Sequence, residues 1–479
     1  MSTAPNFLIF CCDQLRADCL GCEGHELAVT PNINSIAEGG VRFSRAYVQN
    51  PLCSPSRATM ITGRYPRSHG CLCNGTPLPE DEITLPAVLG EAGYATCATG
   101  KVHLRPHEVS LEDHTWIQEY EGDGPYYGFQ QVHLSDDYKL GGYLRWIDEQ
   151  HPEWSDEARD IEDGRSRSGS TEAWHSRLPA ELHQSSWIAD RAIEFIGEAD
   201  EQPFFLWCSF VDPHHPFSPP APYSEMYERA AIPVPEMVDL SAFGPHWAAR
   251  QQASAGRSSE EWREIIALYL GMISLIDDCV GRVLATLEEQ GLAENTVVGF
   301  VNDHGELLGD HGLLLKGPFL LESMIRQVQL WRGPGVRVGA TDDGLAESVD
   351  IAPTVLDLAG VAAPEGMQGE SLARRLAGEA PGKEAALVQF SPWTAYDGGR
   401  FPGGPERMHL NALVTDEHKL VHYAAQPFGE LFDLREDPGE LRNLYDDPGR
   451  RALRGELTEQ LLDCLGETVD PLPPRTARY

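Results

Sequence analysis

Residues Asn6–Gln14 read NFLIFCCDQ, a run of six apolar or thiol side chains, Phe7 to Cys12, that ends directly on an acid and an amide. Such an uninterrupted run fits a strand buried on both faces, as in the middle of a parallel sheet. Three further stretches repeat the design. Tyr94–Thr99 (YATCAT) leads into Gly100-Lys101-Val102-His103, and Phe204–Val211 (FFLWCSFV) leads into Asp212-Pro213-His214-His215. Thr296–Asn302 (TVVGFVN) leads into Asp303-His304. Amphipathic patterns over Leu85–Ala92, Ser186–Gly197 and Glu261–Gln290 separate these runs. The expected fold is α/β, a large mixed and mostly parallel sheet sandwiched by helices. Open sheets of this kind bind ligands at the carboxyl ends of their strands, where four strands here deliver polar residues.

The chain has 479 residues, too many for one core of usual size. We expect an α/β catalytic domain over 1–378 and a small C-terminal α+β domain over 379–479. Residues from about 102 to 182 are polar and irregular and read as an insertion over the strand ends, with Ser155–Ser170 expected to be mobile. In the second domain, Ala386–Phe390, Leu410–Thr415 and Lys419–Tyr423 alternate like antiparallel strands before a final helix from about Arg450 to Leu465.

Net charge is −37, with 74 acidic and 37 basic side chains, which argues against nucleic acid or an anionic membrane as partner. Any anion site must therefore concentrate positive charge locally. Five of the basic residues are lysines, so a lysine inside a chemical-looking motif carries information. No run approaches the ~18 apolar residues of a membrane span. The first apolar run lacks the basic lead of a signal peptide, so a cytoplasmic location is expected. The eleven cysteines then read as reduced thiols. Cys19 and Cys22 have a zinc or redox spacing, but Cys71-x-Cys73 is a poor second half for a zinc site, and small buried thiols are the preferred reading.

The stretch NPLCSPSRATMITGRYPRSHG, residues 50–70, puts Cys53 at the mouth of a helix, with Pro55 suited to its first position. A helix N-terminus favours anions. A thiolate phosphatase loop would need arginine six residues after its cysteine. Residue 59 is Thr, and the arginine is Arg57, so that reading fails on spacing.

Cys53-Ser-Pro-Ser-Arg57, continuing Ala-Thr-Met-Ile-Thr-Gly-Arg-Tyr-Pro, resembles the signature of type I, formylglycine-dependent sulfatases of the alkaline phosphatase superfamily. The resemblance extends over the whole chain. Phe10–Gln14 resembles the first metal-binding strand, Gly100–His103 the Gly-Lys-x-His motif, and Pro213–Phe217 the Pro-His-x-Pro-Phe motif. Asn302–Glu306 resembles the second metal motif, with Lys316 at the expected distance. Glu430–Leu434, Asp437-Pro438 and Asn443-Leu444 resemble the closing segment.

The resemblance implies a hydrolase that splits a small sulfate ester into alcohol and sulfate. A maturase would convert Cys53 to formylglycine, whose hydrate attacks sulfur and then collapses to release sulfate. One divalent cation, Ca²⁺ ahead of Mn²⁺, would be held by Asp13, Gln14, residue 53, Asp303 and His304. Arg57, Lys101 and Lys316 would add positive charge around the sulfuryl oxygens. Asp303 would take the proton of the attacking hydroxyl, His214 with Lys316 would protonate the leaving alcohol, and His103 would deprotonate the second hydroxyl.

Gln14 and His304 depart from the commonest sulfatase pattern, an Asp and an Asn. Both occur in phosphonate monoester and phosphodiester hydrolases, to which the chain is also similar, and the alternative function is that hydrolysis with the same nucleophile. Those hydrolases lack the Lys101–His103 pair, which favours sulfate. A non-catalytic anion- or metal-binding homologue is the third reading. His215, Asp310 and His311 read as supporting residues. Asn74 reads as a turn or a substrate contact, and Arg64 as a carbonyl anchor or a substrate contact. Oligomeric state, including a homo-oligomer, and the alcohol part of the substrate have no legible signal.

Overall fold

A computed structural model of the chain describes residues 4–105, 125–159, 167, 170–391 and 408–472. Its strands in chain order are β1 (Asn6–Cys12), β2 (Val41–Tyr47), β3 (Ala95–Gly100), β4 (Gln131–Leu134), β5 (Phe204–Phe210), β6 (Thr296–Asn302), β7 (Arg326–Arg332), β8 (Ala340–Asp342) and β9 (Ala346–Glu347). These form one sheet ordered β4-β3-β5-β1-β6-β7-β2-β8, with β9 also on β2. Every pair from β4 to β6 is parallel, as are β2 with β8 and β9. Only β7 is reversed among the described strands. The mixed, mostly parallel sheet expected from sequence is present.

Strand β1 is buried on both faces. Leu8, Phe10 and Cys12 pack with the long helix Ser259–Glu289 and the helix Gln184–Gly197. Phe7, Ile9 and Cys11 pack with the helix Cys53–Thr62 and the helix Ile351–Leu358 on the other side. This is why β1 reads as an unbroken apolar run. The stretch expected to be irregular is more ordered than its polarity implies. It contributes β4, which extends the main sheet at its edge, and the helix Gly142–Gln150. Residues 106–124, most of 160–169, 392–407 and 473–479 lie outside the described residues, and Ser155–Ser170 falls largely among them.

A second sheet, β10 (Ala386–Phe390), β11 (Leu410–Val414), β12 (His418–Tyr423) and β13 (Gly429–Asp433), is antiparallel throughout. One face packs with Trp247, Leu313 and Phe319, and the other with Leu457 and Leu461 of the C-terminal helix Arg451–Glu467. The cysteines carry free thiols. No helix among the described residues is long and apolar enough to cross a membrane.

Register fixes what the sheet presents. Cys12 lies opposite both Phe210 and Asn302, and Gly100 opposite Ser209, so four strands end level. The ladder runs one residue further. Asp13 N–H donates to Phe210 O at 3.2 Å, Asp303 N–H to Cys12 O at 3.1 Å and Lys101 N–H to Ser209 O at 2.9 Å. The first polar residue after each of β1, β6 and β3 is thus held by sheet hydrogen bonds rather than by loop packing.

Gly100 makes the last of these turns possible. Its φ is 83°, and a Cβ there would lie 1.9 Å from Ser209 O. Gly100→Ala should lower the unfolding free energy by about 2–4 kcal/mol, combining left-handed strain with a backbone clash. Urea unfolding checks this, and an unchanged midpoint would contradict the close approach.

Candidate active site

The helix Cys53–Thr62 starts on Cys53 itself, with Leu52 as its N-cap. Pro55 is therefore the third helical residue, not the first as expected. The first-turn N–H groups have no partner within the helix, so a residue lacking one is tolerated there. Asn74 Oδ1 accepts the Ser54 N–H at 3.0 Å, and Asn74 Nδ2 faces Cys53 Sγ at 3.8 Å. Ser56 Oγ donates to Asp303 O, which ties the helix to the end of β6. Cys53 is fully buried. Its Sγ lies 3.2 Å from His304 Nε2 and 3.7 Å from Asp13 Oδ1, and receives the Lys316 ammonium at 2.8 Å.

Around that sulfur stand the expected metal residues. Ligand atoms of Asp13, Cys53, Asp303 and His304 all lie within 4.8 Å of one another, and all four residues are buried. His304 Nδ1 donates to Gly305 O at 2.8 Å, because a carbonyl can only accept, which leaves the Nε2 lone pair facing the cluster. Gln14 has φ 60°, and its N–H donates to Asp303 Oδ1 at 3.0 Å. The Gln14 amide nitrogen donates to Glu306 Oε2 and to His215 Nδ1, while its Oε1 is buried with no hydrogen-bond partner. Two carboxylates, an imidazole nitrogen and an unsatisfied amide oxygen are ligand types for a divalent cation, and these residues fit one.

Behind the carboxylates are buried cations. Arg57 Nε donates to Asp303 Oδ2 at 2.7 Å, and Nη2 lies 3.5 Å from Asp13 Oδ2. Arg57 Nη1 donates to Lys101 O and Ser209 Oγ at 2.6 and 2.8 Å. Lys101 Nζ lies 2.6 Å from Asp13 Oδ2 and also contacts Asp137. Burial opposes the Lys101 charge, but Asp13 and Asp137 outweigh it and hold the ammonium protonated well past the usual lysine range. Burial likewise opposes the Asp13 carboxylate, yet Lys101 and Lys316 keep it ionised far below its usual pKa. Lys316 Nζ bridges Cys53 Sγ and His214 Nε2, the latter at 2.9 Å. His214 donates from Nδ1 to His215 O at 2.6 Å, and burial, then Lys316, lowers its pKa well below the usual imidazole value.

A profile of the Sulfatase family matches residues 5–361, and the C-terminal profile of N-sulphoglucosamine sulphohydrolase matches residues 309–466. The chain belongs to the sulfatase family. This sulfatase is by that membership a sulfuric ester hydrolase, and its family generally uses a metal ion and formylglycine. It is 32% identical to an arylsulfatase of Clostridium perfringens, with 92% of this chain and 90% of that one aligned. It is 30% identical to the multifunctional alkaline phosphatase superfamily protein PehA of Trinickia caryophylli, over 96% and 95% of the two chains. Among solved structures, a phosphonate monoester hydrolase of Agrobacterium radiobacter superposes with a TM-score of 0.84 at 29% identity, covering 99% of this chain and 98% of the other.

The sulfatase brings Asp13, Gln14, Cys53, Arg57, Lys101, His214, Asp303, His304 and Lys316 into one connected cluster. His103 stands to one side of it. Its ligand atom and those of Asp136 and Asp137 lie within 4.8 Å of one another. The Arg57 guanidinium is turned to the site's own groups, donating to Asp303, Lys101 O and Ser209 Oγ and lying 3.5 Å from Asp13. Arg64 pairs with Glu82 and Asp470, Asp310 pairs with Arg16, and His311 bonds Glu440 O.

Several residues escaped the sequence reading. Glu306 fixes the Gln14 amide, and Tyr269 on the long helix donates to Gln14 O at 2.7 Å. Asp136 and Asp137 follow β4, repeating the pattern of a strand leading into polar residues that marks the other site segments. That signal was hidden because β4 is only four residues long and sits in polar surroundings. Arg57→Met should lower the unfolding free energy of the metal-free protein by about 3–5 kcal/mol, because it removes the cation paired with the buried Asp303 carboxylate. Denaturant unfolding after chelation checks this, and wild-type stability would place Arg57 outside the network.

Proposed function

We propose that this sulfatase hydrolyses a small sulfate ester, with residue 53 matured to formylglycine and one divalent cation at Asp13, Gln14, Asp303 and His304. The observation that carries the reading is the position of Cys53. Its Sγ stands where the reactive oxygen of the matured residue would be, buried at a helix N-terminus and in contact with the Lys316 ammonium. Formylglycine would supply a nucleophilic hydroxyl and the cation would supply charge to offset the anionic ester.

The chain's own residues do the rest. Lys101 keeps Asp13 ionised, and Arg57 fixes the orientation of Asp303. Lys316 faces both residue 53 and His214, so it can lie against a sulfuryl oxygen while carrying a proton toward the leaving-group side. His214 Nε2 already accepts from Lys316, so the proton for the departing alcohol comes from the pair, with the ammonium as its store. His103, beside Asp136 and Asp137, is the base for releasing sulfate. Ca²⁺ remains the expected ion with Mn²⁺ behind it, and the His304 nitrogen inside the donor set is the feature that suits Mn²⁺.

Gln14 and His304 support the second reading, hydrolysis of a phosphonate monoester or phosphodiester with the same nucleophile. Parallel turnover of 4-nitrophenyl sulfate and phenyl 4-nitrophenyl phosphate separates the two. Faster sulfate hydrolysis is expected, and activity confined to the phosphorus ester would overturn the first reading. In protein made beside a maturase, the peptide spanning Cys53 should weigh about 18 Da less than its thiol form. Cys53→Ala should abolish turnover, and near-normal activity would refute the nucleophile. Lys316→Ala should cost about 2–4 kcal/mol of transition-state stabilisation, read as a loss of kcat. An unchanged kcat would remove Lys316 from the chemistry.

A further inference from the structure

Lys101 is held by a carboxylate that the reaction above does not use. Its Nζ lies 2.6 Å from Asp13 Oδ2, touches Asp137 Oδ1 and stands 3.5 Å from Asp136 Oδ1. Asp137 Oδ1 is also 3.9 Å from His214 Nδ1. Asp137 is outside the Asp13–Cys53–Asp303–His304 donor group. Its side chain is 14% exposed where those of Lys101 and Asp13 are fully buried. The atoms of His103, Asp136 and Asp137 are close enough to hold an ion, but the Lys101 ammonium already occupies that seat.

A carboxylate beside the cations of an anion site weakens anion binding, so its presence there needs a use. Arg57, Lys101 and Lys316 stand against Asp13, Asp303, Asp136 and Asp137. With Glu306 set behind Gln14 and bonded to the Leu308 and Leu315 N–H groups, one negative charge is in excess over these seven groups. A divalent cation would turn that into one positive charge. Without Asp136 and Asp137 the same site would carry three. A sulfate ester bears one negative charge, whereas its product, sulfate, bears two. Coulomb energy is proportional to ligand charge, so a fixed carboxylate penalises the dianion twice as much as the monoanion.

We propose that Asp137, backed by Asp136, is a selectivity residue whose fixed charge matches the site to a singly charged ester and drives out the doubly charged product. The inference rests on the sulfate-ester reading. It identifies the substrate class as monoanionic esters and sets dianionic phosphate monoesters aside. Asp137→Asn keeps an oxygen for Lys101 and removes the charge.

The test is calorimetric titration of the metal-loaded protein with inorganic sulfate and with methanesulfonate, a tetrahedral monoanion. In Asp137→Asn, sulfate affinity should rise about tenfold and methanesulfonate affinity about threefold, the two-to-one ratio in logarithms that charge demands. Asp137→Ala should shift sulfate in the same direction. Unchanged or weakened sulfate binding in Asp137→Asn, with the wild-type melting temperature retained, would overturn the proposal. If Asp137→Asn melts early, the Asp137→Ala shift decides by the same criterion. Wild-type protein that binds neither anion would overturn the sulfate-ester reading as well, whereas wild-type binding with unshifted variants overturns this inference alone.

Discussion

Two carboxylates buried side by side repel, and the site depends on the cations that hold Asp13 and Asp303 together. These residues end adjacent parallel strands, and neither is exposed. Arg57 reaches both and Lys101 takes the far oxygen of Asp13. A single pair of charges 4 Å apart is worth about 4 kcal/mol at an effective dielectric of about 20, a large share of any domain's stability. With the outer oxygens neutralised, Asp13 Oδ1 and Asp303 Oδ1 are left near His304 Nε2, at 3.7 and 3.8 Å. The arrangement is a one-sided clamp, cationic behind and electron-rich in front.

The fold makes this clamp rigid. Sheet hydrogen bonds continue through Asp13, Lys101 and Asp303, so their backbone positions are set by the most ordered part of the molecule. The Cys53 helix then closes over the strand ends, locked by Ser56 to the β6 terminus and by Arg57 to β1, β3 and β6 through their first polar residues. Glu306 performs a related task at longer range. It holds the Gln14 amide with one oxygen and the Leu308 and Leu315 N–H groups with the other, linking the donor set to the loop that carries Lys316.

The parts of this protein legible in sequence are those under the strictest physical constraint. β1 and β6 match their expected limits because burial on both faces demands unbroken apolar runs, and β10 matches as one of the alternating strands. β2 and β7 were missed because VRFSRAY and RQVQLWR interleave polar with apolar residues, so neither forms an unbroken apolar run, although β7 is buried at its five central positions. Motif residues came together because each follows a strand whose register the sheet enforces. Scarcity made a lysine informative only where it stood inside a motif. Lys101 and Lys316 are in the site, but Lys383 and Lys419 are spent on buried carboxylates elsewhere, Glu347 with Asp350 and Glu440 with Glu322. The role of Arg57 was hardest to read, since a sequence motif records that a cation is needed near an anion but not which anion it serves.

The most direct test of this account is an anomalous-scattering crystal structure of the metal-loaded protein. The account predicts one divalent ion bound at about 2.0–2.6 Å by side-chain atoms of Asp13, Gln14, Asp303 and His304, with residue 53 beside it. An ion bound elsewhere, with these four side chains bonded only to one another, would contradict it.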